Sequence, residues 1–133
     1  MVEMPKEVVE ALADFHAAKM VATIDSAGVP NAVIVATVVP IDRKTICFAD
    51  LRLGKTKENL KQTGKFTVSV IRQNMESYQI RCNFVGYEER GGFADIFAEE
   101  IYKKIKLQPR GVVTGTVEEV YSASMTNPGA KLV

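Results

Sequence analysis

The chain has 133 residues, of which 47% are apolar and 25% charged, with a formal net charge of +1. This length suits one domain with a substantial core, and the composition excludes a disordered chain. The near-zero charge excludes a global pull toward nucleic acid or a membrane surface, and no signal peptide or membrane-length apolar run is read, so a cytoplasmic protein is expected.

Residues 5–17 read as a helix, with Pro5 in its first turn and Val8, Leu12 and Phe15, flanked by Ala11, on one face. A strand over 20–25 follows, then a turn over 26–29 with Gly28 free to adopt positive φ, and Pro30 opens the returning strand of a hairpin. Residues 32–39 have no polar face. Antiparallel strands usually have one wet and one dry face, so both faces of this one need cover. One can meet a core; the other needs a ligand, a partner chain or both. A turn at 42–44 leads to a third strand over 45–50, a short lysine-rich helix ends at Gly64, and 66–71 form a fourth strand.

After a polar loop at 72–77, residues 79–84 alternate, with Ile80, Cys82 and Phe84 on one face. Gly91 and Gly92 end that element. Residues 93–105 form a helix whose stripe of Phe93, Ile96, Phe97, Ile101 and Ile105 reads as core packing, and 111–121 are the last strand. The tail from Asn127 to Lys131 has turn composition. The expected architecture is mainly β with short helices, a six-stranded antiparallel barrel, because the first strands are linked too tightly for parallel crossovers. Cys47 and Cys82 lie in apolar runs and read as buried reduced thiols. They lack metal-ligand spacing and His16 is the one histidine, so no metal site is expected.

The stretch Lys55-Thr56-Lys57-Glu58-Asn59-Leu60 carries the chemistry. A helix N-terminus bears partial positive charge and favours acids, yet Lys55, Lys57 and Lys61 gather here. From 43 to 72, eight basic residues (43, 44, 52, 55, 57, 61, 65, 72) stand against Asp50 and Glu58. A solvated helix face accounts for such a run in the simplest case. Free N–H groups, the Thr56 hydroxyl and Lys55 also make a site for a phosphate monoester. Gly54-Lys55-Thr56 mimics the end of a nucleotide-triphosphate loop, but the first glycine that loop requires falls at Ala49. No aspartate-ending strand follows to hold magnesium either, so an ATPase is not expected.

Three segments together resemble the pyridoxamine 5′-phosphate oxidase-like FMN-binding split barrels, in the style of the short FMN-binding proteins. They are the hairpin from Val21 to Asn31, Phe48-Ala49-Asp50 followed by Gly54 to Leu60, and Phe66 to Val70; the closing segment from Val117 to Tyr121 is also similar. The resemblance implies a split barrel and a homodimer with FMN in a groove between two subunits. It implies that Lys55 and Thr56 hold the phosphate, with Asn59 supporting the loop. Val35, Ala36 and Thr37 would border the isoalloxazine, and Ala49 and Asp50 would lie near the ring or ribityl chain. Thr37 reads equally well as an ordinary strand residue, and Asp50 as a turn former. No second phosphate grip for pyridoxamine phosphate is evident, since Arg81 and Arg110 read as solvent-facing charges.

With no nucleophile, general-base pair or metal cluster in the sequence, the chemistry belongs to the flavin. The expectation is an FMN-dependent oxidoreductase acting with a small-molecule or protein redox partner and with no nucleic acid. The alternatives are a non-catalytic FMN-binding electron-transfer protein and a split barrel that binds deazaflavin or haem. No catalytic residue is assigned.

Overall fold

The computed structural model describes residues 2–133. In chain order its elements are α1 (Lys6–Ala13), β1 (Ala18–Ile24), β2 (Pro30–Ile34), β3 (Val39–Pro40), β4 (Thr45–Asp50), α2 (Lys55–Thr63), β5 (Lys65–Ile71), β6 (Ser77–Glu88), α3 (Gly92–Ile105) and β7 (Gly111–Ser122). The strands form one antiparallel sheet of seven, in the order β2-β1-β5-β6-β7-β4-β3. The six-stranded barrel expected from the sequence is therefore corrected on two counts. The apolar run over 32–39 divides into β2 and β3, which lie at opposite edges of the sheet, and no ladder joins those edges into a closed barrel.

The division has a physical cause. Residues 30–34 pair with β1, whereas Val39 and Pro40 pair with Cys47 and Ile46 of β4. Residues 35–38 must carry the chain from one edge to the other, so ladder pairing stops there. Two bonds hold the crossing: the Val35 N–H donates to the Lys19 carbonyl at 3.0 Å, and the Ala49 N–H donates to Thr37 Oγ1 at 2.9 Å. Pro40, which has no N–H, sits on the outermost strand, where proline is tolerated. Both faces of the run are apolar, as read: Val35 and Val38 are buried, while Ala32, Ile34 and Ala36 are exposed.

The main core joins the inner faces of the strands to Met4, Val8, Ala11 and Leu12 of the first helical segment. Each large apolar side chain fully buried this way stabilises the fold by about 1.5–3 kcal/mol. Phe48 and Phe66 meet edge-on with centroids 5.6 Å apart, an arrangement favoured by the ring quadrupoles. A second cluster lies beneath α3, where Ala94, Phe97 and Ile101 pack on Cys47, Ala49 and Val112. The stripe read for this helix is rotated from the expected one: Phe93 and Ile96 are exposed and Ala94 takes their place. Helix α1 stops at Ala13 rather than at 17, because the Asp14 carboxylate accepts the His16 N–H at 2.9 Å and closes a local turn. Phe15 is consequently exposed instead of sharing the Val8–Leu12 face.

Beyond Thr116, β7 has no β4 beside it. The C-terminal segment fills that edge. The Leu132 N–H donates to the Val120 carbonyl and the Ser122 N–H to the Ala130 carbonyl, both at 2.8 Å, and Tyr121 bridges Lys131. Among the described residues no helix is long and apolar enough to cross a membrane.

Gly115 of β7 lies under the Phe66 ring, and a Cβ there would stand 2.9 Å from the Asn83 carbonyl oxygen as well as against the ring. Gly115→Ala is expected to lower unfolding stability by about 1–3 kcal/mol through overpacking, measured by urea denaturation; unchanged stability would contradict the packing. Burial raises the thiols of Cys47 and Cys82 to about 12. Neither is expected to react with a thiol reagent at pH 8 in the native protein, and both should react in denaturant.

Candidate functional site

The site is built around the turn between β4 and α2. Asp50 ends β4 with 2% of its surface exposed. A buried carboxylate must be paired or hydrogen-bonded, and this one has three partners. Oδ1 accepts the Leu53 N–H at 3.0 Å, Oδ2 accepts the Tyr87 hydroxyl at 2.6 Å, and the Lys57 ammonium lies 3.7 Å from Oδ2. Lys57 also stands 4.1 Å above the Tyr87 ring, where the ring quadrupole attracts a cation. Burial, followed by the bond to Asp50, pushes the Tyr87 hydroxyl above its ordinary range, so it stays protonated as a donor. Gly54 then takes φ +57°, ψ −119°, a conformation suited to glycine, and the chain enters α2 with no side chain capping its N-terminus.

Helix α2 is tied to the β1–β2 hairpin by side-chain polar bonds. Asn31 Nδ2 donates to Thr56 Oγ1 at 3.2 Å, Asn59 Nδ2 donates to Thr23 Oγ1 at 3.0 Å, and the Ser26 N–H donates to Gln62 Oε1 at 3.1 Å. The Thr63 hydroxyl donates to the Ile24 carbonyl at 3.1 Å. These bonds fix where Lys55 begins the helix. Lys55 itself is exposed, and among the described residues no carboxylate lies within ion-pair distance of it.

Two clefts flank the turn. One, of 450 Å³, carries the polar side chains of Lys55, Asn59, Asn31 and Gln62, with Asp25, Glu58, Val29 and Pro30 also on its wall, and is called the polar cleft for its charged groups. The Asp25 carboxylate is already engaged there by the Ala27 and Val29 N–H groups, both at 2.9 Å. The other, of 200 Å³, is largely apolar and is lined by Val33 to Thr37, Ala49 and Leu51 to Leu53. A third concavity, of 380 Å³, lies on the outer face of the sheet. Its charged groups pair with one another, Lys65 with Glu118 and Arg81 with Glu119, each at 3.2 Å, so it offers no unmatched charge to a ligand.

The structure places Val35, Ala36, Thr37 and Ala49 together in the apolar cleft, and Lys55 and Asn59 in the polar one. Thr56 is fully buried, with its oxygen engaged by Asn31. Asp50 is a fastening of the turn, its carboxylate held by protein groups. Lys57, read from sequence as part of a cationic cluster, is committed to Asp50 and Tyr87. Sequence reasoning singled out neither Asn31 nor Arg52 as a site residue. The available signal for Arg52 was its position on the β4–α2 turn, two residues beyond Asp50.

No protein-family model matches the chain, and no curated protein sequence matches it. Solved structures do. The chain is similar to HupZ of Group A Streptococcus, with TM-score 0.78 and 20% identity over 93% of this chain and 98% of that one. It is similar to an FMN-binding protein of Syntrophomonas wolfei, with TM-score 0.77 and 17% identity over 90% and 88%. A candidate pyridoxamine 5′-phosphate oxidase of Lactobacillus delbrueckii matches with TM-score 0.73 and 18% identity over 90% and 93%. The fold also extends to an F420 reductase (TM-score 0.70, 12% identity, 88% and 98%) and to HutZ, a haem storage protein of Vibrio cholerae (TM-score 0.63, 11% identity, 92% and 97%). Identities this low speak to architecture: the chain has the fold of the pyridoxamine 5′-phosphate oxidase-like FMN-binding split barrels.

Proposed function

We propose that this protein binds flavin mononucleotide at the β4–α2 turn, as a homodimer, and acts as an FMN-dependent oxidoreductase. One observation carries the reading. Lys55, exposed and free of any carboxylate, opens a helix whose N-terminus no side chain caps, beside an apolar cleft, on a fold shared with an FMN-binding protein. The donor set suits a phosphate monoester: the Lys55 cation at a helix start, where the Thr56 N–H is given to the Leu53 carbonyl and the Lys55 and Lys57 N–H groups lie on either side of it. The apolar wall of Val35, Ala36 and Ala49 suits one face of an aromatic ring.

Each residue then has a definite task. Lys55 supplies charge to the phosphate arm. Thr56 and Asn59, through Asn31 and Thr23, hold the helix start against the hairpin. Thr37 fixes the crossing segment to Ala49, and Asp50 sets the turn that separates ring from phosphate. When bound, FMN supplies the hydride or electron transfer. The buried thiols give no competing nucleophile.

The cleft also supports the dimer. At 200 Å³ it is smaller than the roughly 300–1,000 Å³ usual for a cofactor pocket. Its open side continues into Ala32, Ile34 and Ala36, and Ile34 is 79% exposed. A second copy would cover this strip and complete the pocket. A phosphate-bearing deazaflavin would use the same Lys55 cradle, so competition between the two cofactors belongs in the test.

Lys55→Ala is expected to weaken FMN by about 1.5 kcal/mol, roughly tenfold, and to leave riboflavin nearly unchanged. Fluorescence titration reads both, and equal losses would place the phosphate elsewhere. Sedimentation equilibrium of the wild-type protein should give a dimer, and Ile34→Lys should shift it toward monomer with loss of flavin. A monomer that binds flavin tightly would remove the shared pocket.

A further inference from the structure

The two clefts hold different cations, and this separates their roles. Arg43 pairs with Glu3, Arg72 with Asp14 and Arg81 with Glu119. Among the described residues Arg52 has no carboxylate within ion-pair distance, and of the arginines it is the one that lines the apolar cleft. Its backbone is held on both sides: Leu53 is buried and donates its N–H to Asp50, and Leu51 packs on the cluster beneath α3. Gly54, Lys55 and the start of α2 then turn away into the polar cleft. Arg52, an exposed residue, is thus the cation on the wall of the apolar cleft, and Lys55 the lysine on the wall of the polar one. A ring bound in the cleft would cover part of this exposed side chain, and a charge interaction shielded from water is stronger than one in bulk solvent.

We infer that Arg52 biases a flavin held in this cleft toward its reduced form, resting on the flavin reading above. The oxidised ring is neutral. Taking up two electrons and one proton leaves it with one negative charge, whereas the charge of the phosphate arm does not change. Arg52 thus gains an interaction on reduction, and Lys55 has the same partner in both states. Arg52 is a tuning residue for the ring and Lys55 a binding residue for the arm.

The test is the midpoint potential of the FMN-loaded protein, measured at pH 8 by equilibration with a reference dye, for wild type, Arg52→Gln, Arg52→Lys and Lys55→Gln. Arg52→Gln is expected to lose about tenfold of the preference for reduced over oxidised flavin. That is a fall of about 30 mV for a two-electron couple. Its affinity for oxidised FMN and riboflavin should stay near that of wild type. Arg52→Lys should keep most of the potential. Lys55→Gln should keep the potential and lose FMN affinity. Two results would overturn the inference: an unchanged potential in Arg52→Gln, or a selective loss of FMN over riboflavin, which would make Arg52 a second phosphate residue. If the wild-type protein takes up no flavin, the cofactor reading itself fails, and this is seen in the binding step before any potential is measured.

Discussion

The Asp50 carboxylate is the point on which the site depends. It receives a backbone N–H from its own turn, a hydroxyl from β6 and a lysine from α2. Its own carbonyl accepts the Arg110 N–H at 2.7 Å. Removing one partner of a buried charge is costly because the charge left behind cannot regain water. The constraint continues into β7. Gly111 faces the Tyr87 ring, and a Cβ there would stand 2.5 Å from its Cζ atom. A side chain at 111 would therefore push Tyr87 off Asp50. Gly111, Tyr87, Asp50 and Leu53 form one chain of contacts across three strands and a turn, and the geometry on either side of that turn follows from it.

The crossing segment over 35–38 is the second determinant. It links the sheet's two edges covalently where hydrogen bonds do not. Backbone groups freed from ladder pairing need partners, and Lys19 and Thr37 account for two of the bonds made there. The same irregularity produces a concave apolar wall beside the β4–α2 turn. A regular strand through these residues would have kept its pairing and left less of a hollow. Fold and candidate site thus arise from one departure from regularity.

Much of this was legible in the residues themselves. The 45–50 strand, the lysine-rich helix and its end at Gly64, where φ is +71°, agree with local signals, as does Gly28 at φ +85°. What escaped reading depended on partners distant in sequence. A run apolar on both faces says that cover is needed, but it does not say that the chain changes partner midway, so one strand was expected in place of β2 and β3. Strand β6 runs to Glu88, just ahead of the break read at Gly91 and Gly92, but register shifts at Arg81/Cys82 and Phe84/Gly86 interrupt the two-residue alternation, so its later residues could not be assigned to a face from spacing. Helical spacing identified an apolar arc on α3 but not which part of it would meet the sheet. Lys57 and Lys55 are indistinguishable as letters; only Tyr87 and Asp50, brought together by the fold, separate a structural cation from a free one.

The tail along β7 has a consequence for how the protein behaves in a crowded solution. Residues 129–133 occupy the margin that β4 vacates, and their bonds to Val120 and Ser122 consume groups that would otherwise point outward. An open margin of that kind accepts extended segments from other molecules and lets them polymerise. With residues 129–133 laid along it, this side of the sheet offers no free ladder groups at Val120 and Ser122 to an extended segment of another molecule.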